Sequence, residues 1–265
     1  MLEGIDIEVI IDANVLLEGV SIRVQTGEVV AILGPNGAGK STLLRALCGD
    51  IAPTGGTVRM NGLPLADWNR QAMARVRGVL PQQSTLAFPF TVLDVALMGR
   101  SPHQHGGDSA GDRAIALAAL EEAGVRYLAD RFYTTLSGGE MQRVQLSRVL
   151  AQIWEPGACR YLLLDEPTAG LDLSHQHHIL GVARRLATQD VAVLAVLHDL
   201  NLAAQYADRV LMLHRGSTAA VGPPEQVLES NMVQSVFGMP VSVIPHPYMS
   251  CPLVLPLADR IVGTV

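Results

Sequence analysis

The chain has 265 residues, a length that suits one large α/β domain or one that carries an inserted subdomain. Hydrophobic residues make up 49 % of it and charged residues 17 %, a balance that excludes intrinsically disordered and fibrous proteins. The formal net charge is -6 and the sequence has no run of Lys or Arg, which argues against nucleic acid as the main partner.

Membrane insertion and secretion are both disfavoured by the sequence. The longest uninterrupted apolar runs, 114–120 and 191–197, are far shorter than the roughly 20 residues of a spanning helix. Acidic residues stand near Met1, where a signal peptide carries basic ones, so a cytoplasmic protein is expected. The cysteines are widely spaced and predict free thiols rather than a disulfide framework or a zinc site; they are Cys48, Cys159 and Cys251.

The first clear element is the nearly all-apolar run 28–33, which is typical of a strand buried on both faces of a parallel sheet. A glycine-rich loop follows it. Beyond the loop, Leu43, Leu44 and Leu47 recur at helical spacing, and Gly49 is a suitable C-terminal cap. The sequence therefore predicts a strand, a loop and a helix in direct succession.

The glycine-rich loop matches the phosphate-binding pattern Gly-x-x-x-x-Gly-Lys-Ser, and it lies between a strand and a helix, as the mechanism requires. Its glycines let backbone N–H groups turn toward a polyphosphate, and the helix N-terminus adds partial positive charge. Lys40 is expected to reach the terminal phosphates, and the Ser41 hydroxyl is expected to bind Mg²⁺. The alternative is a glycine-rich turn without a ligand, which the strand-to-helix context disfavours. The predicted ATP-binding residues of the loop are Gly34, Pro35, Asn36, Gly37, Ala38, Gly39, Lys40, Ser41 and Thr42.

Residues 86–153 have little strand signal and read as an inserted helical subdomain, whereas 1–85 and 154–265 form the nucleotide-binding core. Helical patterns run through 114–123 and 140–153. The segment 101–112 is rich in turn-forming residues and is predicted to be a mobile surface loop.

Two adjacent carboxylates, Asp165 and Glu166, follow a second buried strand that starts at Tyr161. Side chains alternate along a strand, so Asp165 is expected to hold Mg²⁺ while Glu166 faces the γ-phosphate and polarises the attacking water. The alternative is a solvated strand end, which is a common feature by itself. Together with a third buried strand at 191–197, these runs predict an α/β fold with a parallel sheet. Beyond Pro223, a short helix at 225–229 and small strands are expected.

The string Leu136-Ser-Gly-Gly-Glu140 predicts a capping box that opens a helix running to Ile153. It also resembles the signature sequence of ATP-binding cassette (ABC) transporter ATPases. A bare capping box is common, but phosphate-loop enzymes in general lack this string. The resemblance implies that the signature of one copy completes the ATP site of a second copy, so Ser137, Gly138 and Gly139 would contact the γ-phosphate in a homodimer.

Further motifs resemble this family in the same order along the chain. Gln82 is similar to the glutamine that contacts Mg²⁺ and the water, with Gln83 a weaker candidate. Asp172 closes a string similar to the D-loop at the dimer interface. His198 is similar to the switch histidine that bonds the γ-phosphate. The resemblance implies an ATPase with catalytic Glu166, His198, Gln82 and Lys40, metal ligands Ser41, Gln82 and Asp165, and the P-loop NTPase fold with antiparallel N-terminal strands.

Within the family, the stretches 86–103, 136–154 and 198–210 resemble the ATPases of haem, siderophore and cobalamin importers, and haemin importers most. This resemblance implies two transmembrane permease subunits as partners, an indirect link to a periplasmic haem-binding protein, no nucleic acid, and a peripheral location on the cytoplasmic face of the inner membrane. Siderophore and cobalamin import remain open, as does export. A soluble ABC ATPase that acts on nucleic acid or the ribosome is a more remote alternative.

Three other features leave alternatives open. The family commonly stacks adenine on an aromatic residue, but none stands near Ile11, so aliphatic contact is expected there. The apolar stretch 86–90, with neighbouring residues up to Met98, is either a permease-binding groove or ordinary core. The histidines at 175, 177 and 178 suit a solvated or dimer-facing role better than a metal site.

Overall fold

A computed structural model describes residues 1–82, 86, 88–104, 107, 109–157 and 159–257. The strands are β1 Leu2–Ile11, β2 Asn14–Val24, β3 Val29–Leu33, β4 Gly55–Met60, β5 Leu63–Pro64, β6 Arg77–Leu80, β7 Arg160–Asp165, β8 Val191–Val196, β9 Arg209–His214, β10 Ser217–Gly222, β11 Val241–Pro245 and β12 Pro252–Pro256. The α-helices are α1 Lys40–Cys48, α2 Arg70–Val76, α3 Val92–Met98, α4 Ala110–Glu122, α5 Gly138–Gln152, α6 Leu173–Ala187, α7 Leu200–Tyr206, α8 Pro224–Val227 and α9 Ser230–Phe237.

The central sheet has six strands in the order β10-β9-β3-β8-β7-β6, and all but the edge strand β10 run parallel. The strands β3 and β8 are buried along their whole length, which is why they read as continuous apolar runs. Parallel strands end at one edge of the sheet. The loops after β3, β6, β7 and β8 therefore lie on the same side, and each carries a predicted site residue.

A second sheet of four antiparallel strands, in the order β2-β1-β4-β5, packs on one face of the central sheet. Its buried residues share a core with α1 and with one face of β3, β7 and β8. The helices α5, α6 and α7 cover the opposite face. The predicted α/β fold with antiparallel N-terminal strands is thus confirmed.

Three of the helices, α3, α4 and α5, share a separate core within the segment 86–153. Among the described residues of that segment, the only β-pairing is one isolated bridge between Thr91 and Phe132. The division of the chain at residues 85 and 154 remains a prediction. None of the described helices combines the length and the hydropathy that a bilayer-spanning segment needs.

The prediction of a loop at 101–112 is wrong for the described residues of this segment. Residues 101–103 form a 3₁₀ turn, and α4 already begins at Ala110. The sequence does contain a helix start signal here, because Ser109 and Asp112 form a complete capping box. Residues 105, 106 and 108 lie outside the described part of the chain.

The tail contains two short helices where one was expected at 225–229. The first, α8, begins at Pro224 and ends before Glu229, and α9 follows it. The small strands expected beyond them are β11 and β12, which pair as a hairpin. The hairpin packs on α7 and contributes Val241 and Val254 to the main core.

Candidate functional site

The phosphate loop connects β3 to α1 and surrounds a cavity of about 240 Å³. A Cβ atom at Gly34 would lie 2.3 Å from the Leu213 carbonyl oxygen, so only glycine fits there. Gly39 adopts a left-handed φ of 99° and lies against Leu16 and Leu17 of β2. These close approaches leave no room for a side chain at either position.

Lys40 is the only lysine in the sequence, and its side chain is buried against the loop. Its ammonium group donates hydrogen bonds to the carbonyl oxygens of Gly34 at 2.8 Å and Pro35 at 3.0 Å. Burial lowers the pKa of Lys40, and the nearby carboxylates of Glu166 and Asp165 oppose that shift. The single lysine is therefore already placed inside the loop that is expected to bind a triphosphate.

Ser41 and Asp165 come from the first turn of α1 and the end of β7. The Ser41 hydroxyl donates to Asp165 Oδ1 at 3.2 Å. Burial raises the pKa of Asp165, and the bond from Ser41 partly opposes this shift. A hydroxyl and a half-buried carboxylate in contact are oxygen ligands of the kind that Mg²⁺ prefers, so the donor set fits this ion.

Glu166, in the loop after β7, is contacted by side chains from the loops after β6 and β8. Its Oε2 atom accepts a bond from the Gln82 side-chain amide at 2.6 Å, and its Oε1 atom lies 2.6 Å from His198 Nε2. Gln82 follows β6 and His198 follows β8, so both reach the same edge of the sheet. The side chain of Glu166 lines the phosphate-loop cavity and is 13 % exposed, and the side chain of His198 is 45 % exposed.

Strand alternation does not explain how Glu166 is oriented. β7 ends at Asp165, and Glu166 has a left-handed φ of 48°. The turn directs Glu166 into the phosphate-loop cavity, although Asp165 already lies beside Ser41. Both carboxylates thus lie at the same site, as expected from the sequence, but a left-handed turn rather than strand alternation sets the orientation of Glu166. Non-glycine residues with a left-handed backbone are enriched at functional sites.

The signature segment forms the predicted capping box. The Ser137 hydroxyl and backbone N–H both bond to Glu140, and these bonds lower the pKa of the Glu140 carboxyl. Within the described part of the chain, no hydrogen bond joins residues 137–139 to the phosphate loop. Gly139 lies close to the D-loop, since a Cβ atom at this position would lie 3.4 Å from the Leu171 side chain. The helix N-terminus of α5 is therefore not part of the cavity around Lys40.

Asp172 caps α6, and its side chain is mostly exposed. It accepts bonds from the backbone of His175 and the hydroxyl of Ser174, and these bonds lower the pKa of its carboxyl. His177 bonds the Tyr206 hydroxyl at 2.8 Å. In the described part of the chain, no three His, Cys, Asp or Glu side chains form a metal-binding group, and the histidines of α6 are no exception.

Sequence reasoning missed the turn that supports the phosphate loop from behind. Gly216, between β9 and β10, donates its N–H to the Ala38 carbonyl at 3.1 Å and accepts from Glu18 N at 2.9 Å. Leu16 lines the cavity beside the loop. No local signal marks these residues, because the contacts join segments that are almost 200 positions apart.

Comparisons with known sequences decide the family. The profile described as "ABC transporter" matches residues 17–169, which is more than half of the chain. The chain belongs to the ABC transporter family. Its predicted ATPase class and ATP binding are confirmed with the family.

Two relatives cover most of the chain. The hemin import ATP-binding protein HmuV of Gloeobacter violaceus is 56 % identical over 261 residues, which are 98 % of this chain and 95 % of that protein. HmuV of Myxococcus xanthus is 54 % identical over 89 % of each chain.

Solved structures share the fold. An ABC transporter in an inward-facing conformation matches 98 % of this chain and of its own, with 28 % identity and a TM-score of 0.84. The dimeric ATP-binding cassette MJ0796, bound to ADP and Pi, matches 84 % of this chain and 99 % of its own, with 27 % identity and a TM-score of 0.73.

Proposed function

We propose that this chain is the ATP-hydrolysing subunit of a haemin importer. The observation that carries the hydrolytic part is the convergence of Gln82 and His198 on the carboxylate of Glu166, at the mouth of the phosphate loop. The substrate part is supported by the relatives, which are named hemin import proteins and are similar over nearly the whole chain. Siderophore and cobalamin import are the alternatives.

The triphosphate is bound by the loop 34–42. Residues of the loop and of the first turn of α1 line the cavity, where a helix N-terminus favours an anion and Lys40 supplies the positive charge. Binding requires the ammonium group to exchange its bonds to Gly34 and Pro35 for bonds to phosphate oxygens. Ser41 and Asp165, with Gln82 nearby, would hold Mg²⁺. This ion neutralises phosphate charge.

Glu166 is the general base that orients the attacking water. Its carboxylate is held from two sides, by Gln82 and by His198, and it lines the cavity into which the γ-phosphate extends. His198 then bonds a γ-phosphate oxygen. This division of roles places the base, the loop cation and the switch histidine around one reacting phosphorus.

In the described structure, the phosphate-loop cavity of one chain is not contacted by the signature segment of the same chain. Ser137, Gly138 and Gly139 are outside the cavity of their own chain, and their helix N-terminus is exposed. A second copy would bring this N-terminus to the γ-phosphate and close two sites in a homodimer. Asp172, at the neighbouring helix start, would lie at the same interface. The dimer of MJ0796 supports this arrangement as a structural relative.

Closure of the dimer would move two membrane-embedded permease subunits, which places the chain on the cytoplasmic face of the inner membrane. The stretch from residue 86 to Met98, which is a candidate permease-binding surface, has both buried and exposed side chains. Val92 and Val95 are buried in the helical core, as the core-packing alternative predicted. Phe88 is 70 % exposed and Phe132 is 51 % exposed, so these rings supply the apolar surface for a permease helix. A periplasmic haem-binding protein would act upstream.

The test of the hydrolytic role is Glu166→Gln. This variant keeps the shape of the side chain but cannot accept a proton, so ATP should still bind and still drive dimerisation, while turnover falls at least about 100-fold. Glu28→Gln is the matched control, because Glu28 pairs with Arg209 at the opposite end of β3. Full turnover by Glu166→Gln would refute the assignment.

The test of the substrate is transport by the chain reconstituted with its permease in vesicles. Uptake of haemin, and not of a ferric siderophore or cobalamin, is expected when ATP is supplied to the side that carries this chain. Uptake of a siderophore or cobalamin instead would leave the ATPase assignment intact and overturn the haemin assignment.

A further inference from the structure

The turn that carries His198 is attached to the tail hairpin β11–β12 through Asn201. Asn201 lies in the first turn of α7, three residues after His198. Its side-chain amide donates to the Val254 carbonyl at 3.1 Å, and its side-chain oxygen accepts from the Val254 N–H at 2.8 Å. One side chain therefore satisfies both backbone groups of one residue in β12.

The His198 turn is also held by bonds on both sides. On its N-terminal side, the backbone of Leu197 bonds to Ile32 of β3 at 3.1 Å. On its C-terminal side, Asp199 caps α7 by accepting from the backbone N–H groups of Asn201 and Leu202. The helix that follows has seven residues, and its buried residues Leu202, Ala203 and Ala204 lie on the C-terminal side of the turn.

A pocket lies beside the turn. It has a volume of about 280 Å³ and is lined by residues 198–201, by the hairpin and by the end of α9. Its far side is lined by apolar residues that include Phe237, Val241 and Val254. At the start of α7, beside this pocket, the paired bonds between Asn201 and Val254 attach the His198 turn to β12.

The hairpin is a firm anchor for these bonds. Its five residue pairs run in unbroken register from Val241 opposite Pro256 to Pro245 opposite Pro252. Val254 is 2 % exposed and belongs to the main hydrophobic core. A further bond joins the Leu257 N–H to the Pro240 carbonyl at 2.9 Å and closes the open end of the hairpin.

We propose that Asn201 is a positioning residue for ATP hydrolysis, and that it acts by tying the His198 turn to the tail hairpin. His198 Nε2 lies 2.6 Å from Glu166, and a turn that drifts by about 1 Å loses that bond and the alignment of both side chains with the γ-phosphate. The tail is thereby part of the hydrolytic apparatus. This inference rests on the proposed roles of His198 and Glu166.

The test compares Asn201→Ala with Asn69→Ala in the full-length chain. Asn69 caps α2 with two side-chain bonds to backbone N–H groups and has no contact with His198, so it loses an equal number of bonds elsewhere. Asn201→Ala should lower kcat for ATP at least about 5-fold with KM changed by less than about 2-fold, and Asn69→Ala should leave both within about 2-fold.

A double-mutant comparison separates positioning from general loss of stability. In a His198→Ala background, adding Asn201→Ala should lower kcat no further, since the residue that it positions is absent. If Asn201→Ala does not fold, Asn201→Asp serves instead, because it keeps an acceptor for the Val254 N–H. The same criteria of kcat, KM and the His198→Ala background then apply.

A wild-type kcat in the folded Asn201 variant, or an equal further loss in the His198→Ala background, overturns the proposal. If His198→Ala and Glu166→Gln are impaired in that case, the proposed function stands and only the role of Asn201 fails. If Glu166→Gln is fully active, the proposed function itself fails.

Discussion

Replacement of Lys40 by methionine separates the nucleotide-binding role of this lysine from its part in folding. The ammonium group is buried and bonds to two loop carbonyls, Gly34 and Pro35. Methionine retains most of the apolar stem of lysine and removes the charge. Arg45→Met is the matched control, because Arg45 is an exposed cation on the same helix and does not face the cavity.

The expected effect on the free protein is small because two contributions oppose each other. Two charge-assisted hydrogen bonds contribute roughly 3 to 6 kcal/mol in total. Removal of an ammonium group from water costs several kcal/mol even in relaxed proteins. Lys40→Met should therefore change the free energy of unfolding by less than about 2 kcal/mol.

The pH dependence of that difference has a definite sign. Burial lowers the pKa of Lys40 in the folded protein below its ordinary value of 10.5. Between the lowered pKa and 10.5 the unfolded chain binds more protons, so the stability of the wild type relative to Lys40→Met should rise with pH in that window.

Nucleotide binding should stabilise the wild type much more than Lys40→Met. A ligand at 100 times its Kd stabilises a folded protein by about 2.7 kcal/mol. Chemical denaturation with and without a non-hydrolysable ATP analogue should show this gain for wild type and for Arg45→Met, and little of it for Lys40→Met. An equal gain in Lys40→Met would refute the placement of the triphosphate beside this lysine.

Three further predictions concern Gly34, Arg100 and Asp112, which lie in close contact with neighbouring groups. Gly34→Ala should lower the free energy of unfolding by roughly 1 to 3 kcal/mol and abolish ATP-analogue binding, since its Cβ would lie 2.3 Å from the Leu213 carbonyl; a thermal melt with the analogue checks both. Arg100→Met should cost about 3 to 5 kcal/mol in urea denaturation, because the buried guanidinium bonds Asp112 and Glu155, and a cost below about 1 kcal/mol would contradict this. The hydrogen bond from Arg100 lowers the pKa of Asp112 to about 2, so the stability that this bond provides above pH 4 should be lost as the pH falls toward 2.

Local patterns predicted the elements that carry the site. The strands β3 and β8 were visible because strands buried on both faces are continuously apolar. The start of α5 was visible because Ser137 and Glu140 form a capping box within four residues. The same signal at Ser109 stands among turn-forming residues. The predicted 101–112 loop therefore includes the first residues of α4.

Features that depend on strand order and backbone strain could not be predicted in this way. Gln82 reaches Glu166 because β6 pairs with β7, and no local pattern specifies which strands are neighbours in a parallel sheet. Glu166 faces the cavity because its backbone is left-handed, and strand alternation does not specify that turn. The Gly216 turn behind the phosphate loop also depends on a distant contact.

The central claim is that one chain supplies the phosphate loop and a second chain supplies the signature segment of each ATP site. Lys40→Met and Ser137→Arg should each abolish ATP hydrolysis when purified alone. In an equal mixture, half of the dimers would contain both variants and would have one intact site, so about one quarter of the wild-type activity should return. If each variant is inactive alone and their mixture remains inactive, although native mass spectrometry shows mixed dimers, the shared site is contradicted.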